Sequence, residues 1–226
     1  MTRRLRTSSV HLARCGTVPD PELDWISTRL HPDVREKLLA YRTVERRNQT
    51  VLGRVLLAIA LKELGEQLDV LSELGVRPTG EPDVPMGYSG SISHTDGLVG
   101  AVAAEGVAIG FDLEHCWHSF LEKEPRDPDL LRDVSFRDQS LRGWVGSEAV
   151  AKASGATLSD VLVTPLVGGR MLLGEPWFVQ TFTVDEGFMA GIATLQPISE
   201  PSIVWLARDS FFAPCTGAYP GSGKLK

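Results

Sequence analysis

Hydrophobic and polar residues change their period several times along this chain, and the changes mark out its elements. "RTSSVHLARC" (6–15) alternates and predicts a first strand, followed by a Pro/Asp-rich break at Pro19 to Pro21. From His31 to Gly65 apolar residues recur at three- and four-residue spacing, the period of a helix, and Gly65 is placed to cap its end. Residues 75–90, "GVRPTGEPDVPMGYSG", are rich in turn formers and predict a loop. "GSISH" and "GLVGAVAAE" predict two strands joined by a "TDG" turn, and "VAIGFDLEH" predicts a third. Residues 117–143 are charged, with short helical stretches at most, and "GWVGSEAVAKASG" predicts a helix stopped at Gly155. "VLVTPLV", "GRMLLGE", "WFVQTFTV" and "GFMAGIATL" predict four more strands, with turns at Gly168–Gly169 and Asp185–Gly187. Residues 197–226 are rich in Pro, Gly and Ser around one apolar segment, "SIVWLA", and end in a tail expected to be mobile.

The order strand, helices, strands therefore occurs twice. It predicts an α+β chain of two halves of similar size, 1–104 and 105–226, with a site at the seam between them. No sequence repeat links the halves. The length of 226 residues suffices for such a pair. The longest apolar runs, such as "VLLAIAL", are too short to span a bilayer, and no apolar stretch follows the basic N-terminus as a signal peptide would require. Cys15, Cys116 and Cys215 are widely spaced and form no CxxC, which suits free thiols in a reducing compartment; a cytoplasmic monomer is expected. A net charge of −6 argues against a general nucleic-acid binder but leaves room for a local basic pocket. Arg35, Lys37, Arg42, Arg46, Arg47 and Arg54 could form such a pocket or simply a solvated helix face.

Four groups of residues could carry chemistry. Asp112 and Glu114 lie two apart on a predicted strand and so share a face, with Leu113 pointing the other way. Such a pair suits Mg²⁺, but a D-x-E at a strand end is more often the wet face of an ordinary strand. His115, Cys116 and His118 could suggest zinc, but they lack the usual ligand spacing and read more simply as a loop leaving the strand. Glu148 and Lys152, four apart on a helix, are either a common surface pair or an acid and an ammonium presented to one site. Ser91, Ser93 and His94, in "SISH", could contact a phosphate or close a turn.

Taken together, "SISHTDGLVGAVA", "AIGFDLE" and "WVGSEAVAKASG" occur in an order and at a spacing that resembles the three signature regions of surfactin-type 4′-phosphopantetheinyl transferases. "HPDVREKLLAYR", "TVLGRVLL" and "TVDEGFMAGIA" resemble further segments of that family. The resemblance implies two similar α/β halves in a pseudo-twofold arrangement. It implies Mg²⁺ and coenzyme A between them, and transfer of the phosphopantetheine arm to a serine of an acyl or peptidyl carrier protein of secondary metabolism, with release of 3′,5′-ADP. By the same resemblance Asp112, Glu114 and Glu148 would hold Mg²⁺. Glu148 would also serve as base for the incoming hydroxyl, and Lys152 would neutralise charge on the pyrophosphate. His94 with Ser93 would meet a phosphate of coenzyme A, and Lys37 its 3′-phosphate. Arg47 is assigned to the coenzyme A site with them, and Arg42, Arg46, Arg54 and Arg77 are further candidates for the phosphates.

The chain departs from the family pattern at Ser147, Glu81, Val34 and Gln49, each standing where a basic residue is usual. A hydrogen bond to a charged group contributes roughly 1.5–3 kcal/mol. Two such losses without replacement would weaken coenzyme A binding by about two to four orders of magnitude. Two alternatives to a working transferase follow. One is a related scaffold of natural-product biosynthesis acting on a different ligand; the other is a non-catalytic partner that docks on a carrier protein.

Overall fold

The computed structural model describes residues 6–66, 70–115 and 134–207, with backbone alone for Val70 and for 134–139. The predicted first strand is two pieces, β1 (Arg6–Thr7) and β2 (Val10–Arg14). The Pro/Asp cluster expected to break the chain instead starts a helix, α1 (Asp20–Ser27). Proline is tolerated in a first turn, where amides lack partners anyway, and Asp20 and Glu22 face the positive end of the helix dipole.

The helical span 31–65 divides into α2 (Pro32–Ala40) and α3 (Val44–Glu63). Tyr41 is extended, with ψ 131°, and the Thr43 hydroxyl accepts from the Arg46 amide at 3.2 Å, so a local cap outweighs the continuous apolar period. Gly65 ends α3 with φ +104°, as its position predicts. A short helix α4 (Val70–Glu73) and the two-residue strands β3 (Gly75–Val76) and β4 (Pro82–Asp83) follow, the strands pairing across the expected loop.

β5 (Tyr88–Thr95), β6 (Leu98–Glu105) and β7 (Ile109–His115) match the three predicted strands, with Asp96 and Gly97 turning at positive φ. α5 (Val134–Ser154) begins ahead of the predicted helix. "VLVTPLV" is not a strand. Its first part lies in α6 (Leu158–Leu162), whose cap Thr157 accepts from the Asp160 amide, and only Leu166–Val167 is extended, as β8. β9 (Arg170–Leu173), β10 (Glu175–Asp185), β11 (Phe188–Thr194) and β12 (Ile203–Trp205) complete the described chain. The tail expected to be mobile falls on residues outside those described.

The result is an α+β arrangement of two five-stranded sheets beside a small hairpin. In the first sheet β6 is flanked by β5 on one side and by β1 and β2 on the other, with β12 parallel to β2 at the edge. The segment 203–205 thus follows the second sheet in sequence but completes the first. The second sheet runs β7-β11-β10-β9-β8, each pair antiparallel.

Strand parity explains how the layers meet. On β6, Val99, Ala101 and Ala103 face the apolar surface of α3, while Leu98, Val102 and Ala104 join Ile109, Phe111, Leu113, Ala190 and Ile192 in a second core between the sheets. A strand covered on both faces reads as an almost unbroken apolar run, which is what "LVGAVAA" is. On β7 the other parity set, Gly110, Asp112 and Glu114, faces α5. Glycine at 110 and 191 lets that helix lie directly on the sheet: a Cβ at Gly110 would stand 1.9 Å from the Ala149 carbonyl oxygen, and one at Gly191 would stand 2.6 Å from that of Val145.

Candidate active site at the seam

β5 and β7 lie side by side where the sheets join, and serine side chains link them. The three serines of "YSGSISH" alternate, so all face β7. Ser89 donates to the Val107 carbonyl, and Ser91 accepts from the Phe111 amide at 3.0 Å. Ser93 donates to Asp112 Oδ1 at 2.9 Å. Gly90 and Ile92, on the opposite face, pack on α3, where a Cβ at Gly90 would strike Leu57.

Asp112 is 4% exposed. Its Oδ1 also accepts from Lys152 Nζ at 2.7 Å, and the same ammonium donates to Ser93 Oγ at 3.1 Å. Its Oδ2 is buried and has no hydrogen-bond partner among the described residues. Burying a carboxylate is costly unless its oxygens are satisfied, so a single bare oxygen marks a place where another positive or donating group belongs.

Glu114, on the same face, has its pKa raised by burial and by Asp112; a hydrogen bond with Trp144 opposes this, and Glu148 adds to it. Glu148 reaches the cluster from α5, and burial followed by the charge of Asp112 raises its pKa too, against the pull of Lys152. The charge of Asp112 therefore disturbs both glutamates here, as crowded like charges must. Among the described residues no three His, Cys, Asp or Glu side chains are already grouped as a metal cage, and Lys152 holds one oxygen of Asp112. The donor set nonetheless fits a hard divalent cation, which takes oxygen ligands and would satisfy the bare Oδ2 while offsetting the crowding.

His94 ends the serine row. Its pKa is lowered to about 4 by burial first, then by the positive charges of Arg46 and Lys152, so the ring is neutral at neutral pH. Arg46, from the first turn of α3, lies directly against it.

From this cluster a cleft of about 370 Å³ runs between α2, α3 and the β3–β4 turn. Lys37, Arg46, Arg54, Arg77, His94 and Lys152 line it, with Gln49 and Glu81. Arg54 is 4% exposed and donates to the Gly75 carbonyl at 2.8 Å, and burial lowers its pKa to about 10. Arg77 pairs with Asp83 at 3.3 Å.

The structure thus brings Ser93, His94, Asp112, Glu114, Glu148 and Lys152 to the seam, with Lys37 along the same cleft. Arg47 is elsewhere: it lines a separate hollow with Arg35 and Asn48, because on α3 it points away from Arg46. Val34 is fully buried in the α3 core rather than lining the cleft. Ser147 is buried and bonds back to the Gly143 carbonyl at 2.8 Å. His115 packs on Phe188 with ring centroids 4.6 Å apart and lies 3.1 Å from Asp96, while Cys116 and His118 lie outside the described residues. Sequence reasoning chose Arg47 ahead of Arg46, Arg54 and Arg77, which line the cleft, and overlooked Ser89, whose signal was the alternation of serines itself.

Residues 35–104 match the family model described as the 4′-phosphopantetheinyl transferase N-terminal domain, which covers α3, the β3–β4 turn, β5 and most of β6. No curated protein matches the chain. Among the described residues no helix is long and apolar enough to cross a membrane.

Proposed function

We propose that the chain is a Mg²⁺-dependent 4′-phosphopantetheinyl transferase that moves the phosphopantetheine arm of coenzyme A onto a serine of an acyl or peptidyl carrier protein, within secondary metabolism. In this reading the two five-stranded sheets are the cores of a pseudo-twofold pair, 1–104 and 105–226, with β12 of the second half completing the sheet of the first, in a cytoplasmic monomer. The observation that carries it is the buried Asp112, held by Ser93 and Lys152 with one oxygen bare, at the mouth of a cation-lined cleft. The match over 35–104 supports the same class.

The residues divide the work as follows. Asp112, Glu114 and Glu148 would hold the Mg²⁺, which when bound supplies positive charge to the pyrophosphate. Lys152 places a further positive charge beside Asp112, where the leaving phosphate gains negative charge. Glu148, with its raised pKa, is suited to take the proton of the serine hydroxyl, directly or through a water. Neutral His94 donates a hydrogen bond to a phosphate oxygen, and Arg46 beside it supplies the charge the ring lacks. Phosphoryl transfer of this kind asks the protein chiefly for position and charge.

The test is incubation with coenzyme A, Mg²⁺ and several apo carrier proteins, read by intact mass. Addition of the arm to one of them is expected; no addition at saturating coenzyme A refutes the proposal. A second reading, a related scaffold turned to a different ligand, draws on Glu81 in the cleft. It predicts weak or absent binding of coenzyme A by calorimetry.

A further inference from the structure

The cleft is uneven in charge along its length. At the seam, Arg46 and Lys152 stand near His94, and on the transferase reading this is where the diphosphate would lie. At the other end, under the β3–β4 turn, the cations are largely engaged. Arg54 is buried and bonded to the Gly75 carbonyl, and Arg77 is paired with Asp83. Lys37 remains, with its ammonium 3.7 Å from where a Cβ at Gly80 would stand, next to the Glu81 that brings an opposing charge into the same space. Gln49, 8% exposed and also lining the cleft, is polar and uncharged. Counting Lys37, Arg54 and Arg77 against Asp83 and Glu81 leaves a single net positive charge. A phosphate monoester, which carries up to two negative charges, is undercompensated there, whereas a ribose hydroxyl can bond to Glu81 or Gln49 without penalty.

We infer that Glu81 sets donor choice in this cleft, favouring a pantetheine diphosphate ester of adenosine with a free 3′-hydroxyl (3′-dephospho-coenzyme A) over coenzyme A itself. The inference rests on the reading of the cleft as a phosphopantetheine-donor site. The chemistry balances in the same way for either donor. The carrier serine oxygen bonds to the phosphorus that bears pantetheine, and the bond from that phosphorus to the bridging oxygen breaks. The serine proton passes to Glu148, directly or through a water. The leaving group is AMP from the dephospho donor, in place of 3′,5′-ADP from coenzyme A.

The experiment compares kcat/KM for the two donors, with one carrier protein and fixed Mg²⁺, in the full-length wild type and in Glu81→Lys. The wild type should favour the dephospho donor by about tenfold, the scale of one charged contact, and Glu81→Lys should move the ratio toward coenzyme A by about tenfold or more. A circular dichroism spectrum and melting curve matching the wild type show that the variant is folded. If it is not, Glu81→Gln is read in its place, with a shift in the same direction expected. A wild type that favours coenzyme A, or a ratio unmoved by either substitution, overturns the inference while leaving the transferase reading intact. Transfer from neither donor refutes the transferase reading and the preference with it.

Discussion

Gly110→Ala tests whether the catalytic geometry depends on the closeness of α5 to β7. The added Cβ would stand 1.9 Å from the Ala149 carbonyl oxygen and 2.7 Å from the Ala153 amide nitrogen, both backbone atoms of a helix buried on that face. No side chain can swing aside, so the helix must withdraw. Restoring the 3.4 Å of ordinary contact requires a shift of about 1.5 Å at that point. Lys152 lies within one turn of Ala149 and Ala153, so the 2.7 Å bond from Lys152 Nζ to Asp112 Oδ1 would stretch beyond hydrogen-bonding reach. Overpacking of this kind costs about 1–3 kcal/mol, and an ångström of misplacement about a hundredfold in rate. Urea unfolding and carrier loading measure the two effects. Gly53→Ala is the control: its Cβ meets a side-chain methyl, Ile92 Cγ2, at 2.6 Å rather than backbone, and α3 carries no group of the Asp112 cluster. It should lower stability with little loss of loading. Gly110→Ala with wild-type stability and loading would refute the claim that glycine at this position places Lys152 and Glu148.

Three further outcomes follow from the same geometry. Mg²⁺ should raise the melting temperature of the wild type, because it would satisfy Asp112 Oδ2 and relieve the crowding of Glu114 and Glu148; Asp112→Asn should abolish both that rise and carrier loading, and a rise that survives would exclude Asp112 as a ligand. His94, with a folded pKa of about 4 against an ordinary value of 6.5, favours the neutral ring, so its contribution is intact above pH 6.5 and is lost as pH falls toward 4. Glu114 and Glu148, raised in the metal-free fold, act oppositely and gain as pH falls, so the comparison needed is wild type against His94→Gln. The variant should recover about 1–2 kcal/mol relative to wild type between pH 7 and pH 5, after allowance for the ring's partial exposure, and equal slopes in urea titrations would contradict the shift. Arg54→Met should cost about 1–3 kcal/mol in urea unfolding by leaving the Gly75 carbonyl unpaired, and it should loosen the β3–β4 turn that walls the cleft, seen as faster amide exchange there.

The strands and helices that were legible in the sequence share a property. Their pattern is regular over its whole length: β6 and β11, covered on both faces, read as apolar runs, and the apolar body of α3 keeps a helical period. The misreadings fall where a local hydrogen bond overrides the period. Thr43 and Thr157 each accept an amide and start a helix, one dividing the span 31–65 and the other displacing an expected strand. Proline and acidic residues at Pro19 to Glu22 read as an interruption, yet those residue types also begin helices. The carboxylates of "GFDLEH" were visible as a same-face pair, but spacing alone favoured a wet strand over a metal site.

By itself, the sequence determined that Asp112 and Glu114 share a face with Gly110, that Glu148 and Lys152 lie one helical turn apart, and that three serines alternate along β5. These are consequences of chain periodicity, which needs no knowledge of neighbours. Tertiary structure decided which face meets which. It pressed α5 onto the glycine side of β7, so that Lys152 bonds Asp112 across 40 residues of chain. It turned Arg46 into the cleft and Arg47 out of it, and engaged Arg54 and Arg77 with partners that no spacing reveals. The charge of a side chain is written in the sequence. Whether that charge is available to a ligand depends on what else folds against it, and that is a property of the packed chain alone.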